Sequence, residues 1–303
     1  MEAKTQQARE QARALAAKAW RSELREAVVR GDTVALLALL GGRALPIDAL
    51  QLVGDGLGCA LSVQVQVQVP GAAPRTEQCA AALRRRGWRG DPELADQLEG
   101  LLGTRAAPIL CPLPVSLEEL AMLREGDPRN GGGRVDLRTG RVWPAEASKN
   151  AGEPGEATRP GEAQDLDTED PDTEDPDTEG LDTAGVDRWL WIENADSRPG
   201  YRDMTRFLAT VTGAGRAEQL AVAIDGPGAF RRFKDVLARW PEEFQRWHAF
   251  TDERRYGRAR AWLAAAGYAV AHPGHPGPAD PPAATTGSPP PTGPGDQVTL
   301  SVR

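Results

Sequence analysis

The sequence predicts an α+β protein: a mostly helical N-terminal domain, then a small antiparallel sheet packed with about four helices. Three observations carry this. Apolar residues recur at helical spacing across residues 1–105. Two short arms flank Arg138-Thr139-Gly140 as a hairpin would. The charge also separates into blocks, with 14 acidic residues against two basic ones between Ala145 and Val186 and mildly basic sequence on either side.

Gln6 to Arg30 reads as a first helix, with Leu15, Ala19, Leu24, Ala27 and Val28 inward and Gly31-Asp32 as its stop. Asp32 caps a second helix that runs to Leu40 before Gly41-Gly42. Leu61 to Val69 alternates strictly and predicts a half-buried strand closed by Pro70. Thr76 to Gly87 predicts a helix with Cys79, Ala82 and Leu83 inward and Arg84, Arg85 and Arg86 outward. Asp91-Pro92 opens Glu93 to Leu102, whose buried stripe is Leu94, Leu98, Leu101 and Leu102.

From Ser116 the pattern changes. Ser116-Leu-Glu-Glu119 is a capping box for a short helix. Gly133 to Trp143 gives the hairpin, and Arg188 to Ile192 a third strand. Helices follow at Asp203 to Val211, Ala217 to Ile224, Phe230 to Trp240, and from Pro241 to Gly267. Phe230, Phe233, Val236, Leu237 and Trp240 form the expected buried stripe of the third of these. The domains predicted are therefore 1–105, mostly helical, and 106–144 with 187–271, α+β.

The segment 145–186 contains a five-residue repeat: Leu166-Asp-Thr-Glu-Asp170, Pro171-Asp-Thr-Glu-Asp175, Pro176-Asp-Thr-Glu-Gly180, then a decayed copy, Leu181-Asp-Thr-Ala-Gly185. Its net charge of −12, its boundary prolines and its poverty in apolar residues predict a disordered acidic linker. The Pro/Gly-rich stretch 272–303 predicts a disordered tail, with His272 and His275 solvent-exposed at its start. Cys59, Cys79 and Cys111 are scattered among apolar residues and read as buried, inert thiols. With three Cys and three His, no cofactor and no metal site is expected. The charged N-terminal stretch and the shortness of the longest apolar run, Val34 to Leu40, argue against a membrane role and for a cytoplasmic protein.

Several motifs occur in order: Val135-Asp-Leu-Arg-Thr-Gly-Arg-Val142, Gly200-Tyr-Arg-Asp-Met204, Gly228-Ala-Phe-Arg-Arg-Phe-Lys-Asp-Val-Leu237, Arg246-Trp247 with Phe250, Asp252-Glu-Arg254 and Arg260-Ala-Trp-Leu263. Together they resemble the bacterial uncharacterised protein family 0158. The likeness covers roughly Ser116 to Tyr268 apart from the acidic segment. It implies a boundary for the C-terminal domain; it implies no activity, substrate or catalytic residue.

No catalytic motif is present, so no residue is assigned a catalytic role. The best candidate for binding is the turn Gly226-Pro-Gly228, whose following helix N-terminus favours an anion. Arg231, Arg232 and Lys234 would add donors, and Arg254, Arg255, Arg258 and Arg260 would extend them into a basic strip interleaved with Trp247 and Tyr256. The alternative is a solvated helix face over a core that holds the tryptophans. Arg202, Asp203 and Asp252 form a polar cluster that either locks helices together or lines a reactive pocket. His248 reads as packed or surface-lying. The function expected is a non-enzymatic regulatory or adaptor protein with a protein partner. The alternatives are a nucleic-acid binder whose strip is gated by the acidic linker, and an enzyme of unrecognised class.

Overall fold

The computed structural model describes residues 2–63, 70–125, 132–145, 188–195 and 198–272. Five helices come first: α1 (Glu2–Val29), α2 (Thr33–Leu40), α3 (Leu50–Val63), α4 (Ala72–Arg86) and α5 (Asp91–Leu101). Strand β1 (Cys111–Leu113) and helix α6 (Leu117–Glu125) lead into β2 (Gly133–Asp136), β3 (Val142–Pro144) and β4 (Trp189–Ile192). The chain continues through α7 (Arg198–Leu208), α8 (Ala214–Ala223), α9 (Ala229–Leu237), the long α10 (Pro241–Ala265) and β5 (Tyr268–Val270).

The predicted local signals act as expected at several points. Asp32 accepts the Ala35 amide at 2.9 Å to cap α2, and Ser116 Oγ accepts from Glu119 N at 3.2 Å to open α6. The antiparallel sheet has the order β3-β2-β4, so the hairpin's first arm becomes the central strand. A parallel pairing of β1 with β5 was not foreseen. Each is three residues long, and their partnership joins positions more than 150 residues apart.

Three clusters of buried apolar residues form the interior. One, with Leu24, Leu36, Leu57, Leu83 and Leu94, joins α1 to α5. A second joins the sheet, α6 and the far end of α10 through Val135, Leu120, Ala259 and Leu263. The third holds Phe207, Phe233, Trp247 and Phe250 between α7, α9 and α10. Helix α10 thus enters two of the clusters, and its remaining face meets α1, α3 and α5.

That remaining face is ionic. Glu253 accepts the Gln51 amide at 2.9 and 3.0 Å and lies 3.4 Å from that of Leu52, so α10 caps the N-terminus of α3. Arg86 donates to Glu253 at 2.7 Å and grips Asp91 with two nitrogens, at 2.7 and 2.9 Å. Arg260 reaches Gln51 at 2.9 Å and Asp55 at 2.6 Å. Every charge in this seam has an opposite partner.

Several expectations need correction. Residues 61–63 close helix α3, and the rest of the predicted strand lies outside the described residues. Helix α3 was hidden by Gly54, Gly56 and Gly58, since glycine disfavours helix interiors. Packing explains them: a Cβ would clash with Leu94 at Gly54, with Val28 and Leu36 at Gly56, and with His272 at Gly58. His272 is therefore buried, its Nδ1 3.6 Å from Cys59 Sγ, instead of starting an exposed tail. Arg86 points inward with a side chain 2% exposed. Leu15, Ala19 and Phe230 face solvent. Cys111 is exposed, whereas Cys79 is buried and burial pushes the half-buried Cys59 thiol up to about 12. The predicted acidic linker, apart from Ala145, and the tail beyond His272 lie outside the described residues.

Candidate functional site

Helix α10 carries Arg254 and Arg258 one turn apart, towards α7 and the end of α6. The buried carboxylate of Asp203 on α7 accepts from Arg254 Nε at 3.0 Å and from Arg258 Nη1 at 2.7 Å. Glu125 takes the other edge of Arg258 through two contacts of 2.5 Å. Opposite them, the connection from Gly87 to Gly90 presents Trp88 and Arg89. Two glycines permit its approach: a Cβ on Gly90 would run into the Gly257 backbone, and one on Gly257 into the Arg89 carbonyl. Gly90 also has φ 91°, a conformation that favours glycine. Trp88 then has two guanidinium groups within cation–π reach, Arg86 Cζ at 4.3 Å and Arg254 Cζ at 5.1 Å from its ring centroid.

The result is a groove of about 360 Å³ lined by Arg89, Arg202, Arg206, Arg254 and Arg258, with Trp88 as an aromatic wall. Asp203 is the one carboxylate lining it among the described residues. Counting Glu125 behind Arg258 still leaves five guanidinium groups against two carboxylates. Burial lowers Arg258, but Glu125 and Asp203 outweigh it and hold that guanidinium above the ordinary arginine range. Burial, and the charges of Arg206 and Arg258, hold Arg254 below the ordinary arginine range although Asp203 pulls the other way. Burial, with Arg89 and Arg258 nearby, does the same to Arg124 at the end of α6. Two Arg124 nitrogens, Nε and Nη1, are buried without a hydrogen-bond partner among the described residues.

A shallower cavity of about 450 Å³ adjoins the groove through Arg202, which lines both. Gly226, Gly228, Ala229 and Phe230 line it from α9 and the turn before it, and Arg198, Tyr201 and Arg202 from α7. On the far side of α10 lies a third cleft, of about 220 Å³, against α1. Arg25 is 3.6 Å from Asp252 there and donates to Tyr256 Oη at 3.3 Å. Lys18, Arg21 and Arg25 face Asp48, Asp252 and Glu253, an even match. Burial raises the Asp252 carboxyl and lowers His248, and it pushes the Tyr256 phenol up to about 12.

Of the predicted cluster, Arg202 and Asp203 come together, joined by Arg254 and Arg258. Asp252 does not join them: it precedes Arg254 by two positions, about 200° round the helix, and faces the third cleft. The predicted continuous strip also breaks up. Arg254 and Arg258 are held inside by Asp203 and Glu125. Arg232 folds back onto the carbonyls of Ala223, Asp225 and Pro227 and closes the turn it was expected to reach out from. Arg231, 91% exposed and 4.0 Å from Asp235, and the exposed Lys234 line neither cavity. Arg255 is half-exposed, 3.9 Å from Glu125. Trp247 is core, as the alternative reading held. Gly226 and Gly228, with φ of 74° and 77°, make the expected turn and border the shallow cavity.

Trp88, Arg89, Arg206, Tyr201 and Phe230 were not singled out. Two signals could have found most of them. Arg198, Arg202 and Arg206 recur every four residues, which sets them on one helix face. Gly87-Trp88-Arg89-Gly90 brackets an aromatic and a cation between glycines, where no helix can continue to shield them. Compared with protein-family models, curated proteins and solved structures, the chain matches none of them.

Proposed function

We propose that this chain is a non-enzymatic binding module of the regulatory or adaptor kind, which takes an anionic group of its partner into the arginine groove. The observation that carries this reading is the charge imbalance: five lining guanidinium groups face one lining carboxylate. Arginine stays protonated at neutral pH, so it holds and orients an anion through its fork of N–H donors and does not act as a general base. Arg254 and Arg258 are already fixed by Asp203 and Glu125 and lose little freedom on binding. Arg202 and Arg206, exposed on α7, are the arms that close on the ligand.

The test is fluorescence anisotropy of the full chain with a labelled linear polyphosphate across a salt series. Hydrogen bonds to charged groups contribute about 1.5–3 kcal/mol, so Arg206→Gln is expected to weaken binding by about tenfold or more. Arg202→Gln should act alike. Arg231→Gln, at an equally basic position outside the groove, should change little. Equal affinity of wild type and the two groove variants, or no binding at low salt, would overturn the reading.

A further inference from the structure

We infer that the ligand of this groove is single-stranded nucleic acid, its phosphates tracked by the arginines and an unpaired base held in the adjoining cavity by Tyr201 and Phe230. The inference rests on the anion-binding reading above and names its ligand class.

The second cavity is what points to a base. It shares Arg202 with the groove, so one side chain serves both compartments. Its distinctive members are two aromatic rings on the surface: Tyr201 is 44% and Phe230 41% exposed. Phe230 belongs to a helix whose next aromatic, Phe233, is fully buried, so its exposure is particular to this position. The ring is seated against Gly200, where a Cβ would come within 3.0 Å of Phe230 Cε1 and 3.1 Å of Cζ. Glycine at 200 thus lets the ring lie over α7 at the lip of the cavity. A phosphate alone has no use for such a surface. A nucleobase does, because it carries a π-face that stacks on aromatic side chains whatever its identity.

The arrangement also selects against a duplex, whose bases are already stacked and paired and present only phosphates and groove edges. An acidic or phosphorylated peptide would use the arginines and leave the aromatic cavity empty. The pairing of a cationic track with a ring-lined cavity at its end is the composition a backbone-tracking, base-stacking site requires.

The experiment compares four labelled probes on the full chain: an oligothymidylate, an abasic strand of equal length, a blunt duplex and a doubly phosphorylated peptide. Oligothymidylate should bind at least fivefold more tightly than the abasic strand, since stacking on one ring is worth about that factor or more. Tyr201→Ala and Phe230→Ala should each remove most of this advantage and leave abasic binding unchanged. Phe230→Trp, which keeps a stacking face, should retain it. Both rings are exposed, so a fold intact by circular dichroism is expected in every variant. Equal binding of abasic and normal strands, aromatic variants like wild type, or preference for the duplex or the phosphopeptide would overturn the inference. If Arg202→Gln and Arg206→Gln still weaken binding in those cases, the anion-binding reading stands. If they do not, that reading falls as well.

Discussion

Glu253 and Arg254 are neighbours in the chain and lie in opposite electrostatic settings. Glu253 sits in a seam where each charge meets its opposite: Arg86, Asp91, Arg260 and Asp55 close a network, and two helix amides complete it. Arg254 opens onto a groove where, among the described residues, five lining guanidinium groups face one lining carboxylate, and burial more than its neighbours' charge lowers it below the ordinary arginine range. The same helix therefore does two things with charge. Compensated charges hold elements in register; the excess of cations in the groove among the described residues is what the proposed anion binding rests on.

The sharpest way to break the comparison is Glu253→Ala. The change leaves the Gln51 and Leu52 amides of α3 uncapped and takes from buried Arg86 one of its two carboxylates, Asp91 remaining. Hydrogen bonds to charged groups contribute about 1.5–3 kcal/mol each, so a loss of about 3 kcal/mol is expected. Urea denaturation should show it as a fall in midpoint without a change in slope. The groove should answer in the reverse sense. Arg206→Gln is expected to leave the unfolding free energy within about 0.5 kcal/mol of wild type while reducing anion affinity about tenfold. A stability loss comparable to that of Glu253→Ala would erase the distinction between seam and groove.

Gly257→Ala tests what positions the groove wall. On helix propensity alone the change should stabilise α10 by about 1 kcal/mol. Because a Cβ there meets the Arg89 carbonyl, we expect a net loss of about 1–3 kcal/mol and weaker anion binding as Trp88 and Arg89 shift. A thermal midpoint above wild type would contradict the close approach.

The hairpin offers a pH readout remote from both regions. Burial pushes the Asp136 carboxyl up, but Arg188 at 2.7 Å and the Arg138 amide at 2.9 Å outweigh it and hold it below the ordinary 3.8. Its stabilisation is thus complete above the unfolded pKa and lost as pH falls through the lower folded value. The thermal midpoint should drop as pH is taken below about 3.8, and Asp136→Asn should flatten that drop. The smallest effect belongs to the balanced cleft against α1. Its Arg25–Asp252 pair is partly exposed and 3.6 Å apart, so Asp252→Asn should change stability by less than about 1 kcal/mol and leave anion binding intact.

The helices with strong local signals were legible in advance, namely those opened by Asp32, Asp91-Pro92, Ser116 and Pro241. So was the hairpin around Arg138-Thr139-Gly140 with the later strand at Arg188 to Ile192. Their capping groups, turns and periodicity act within a few residues, so the chain states them locally. Helix α3 was not legible, because its three glycines speak against a helix until Leu94, Leu36 and His272 are brought against them. The β1–β5 pair was not either, since neither three-residue segment has a pattern without the other.

The candidate site divides along the same line. Sequence alone determined that Arg202 and Asp203 are adjacent, that Arg254 and Arg258 share a helix face, and that Gly226 and Gly228 turn the chain before α9. Only the tertiary structure decided that Arg232 is spent on carbonyls, that Asp252 faces another cleft, and that Trp88 and Arg89 complete the groove from a distant part of the chain. The physical reason is that helix periodicity assigns a residue to a face, whereas the charge balance at that face depends on which other elements are packed against it.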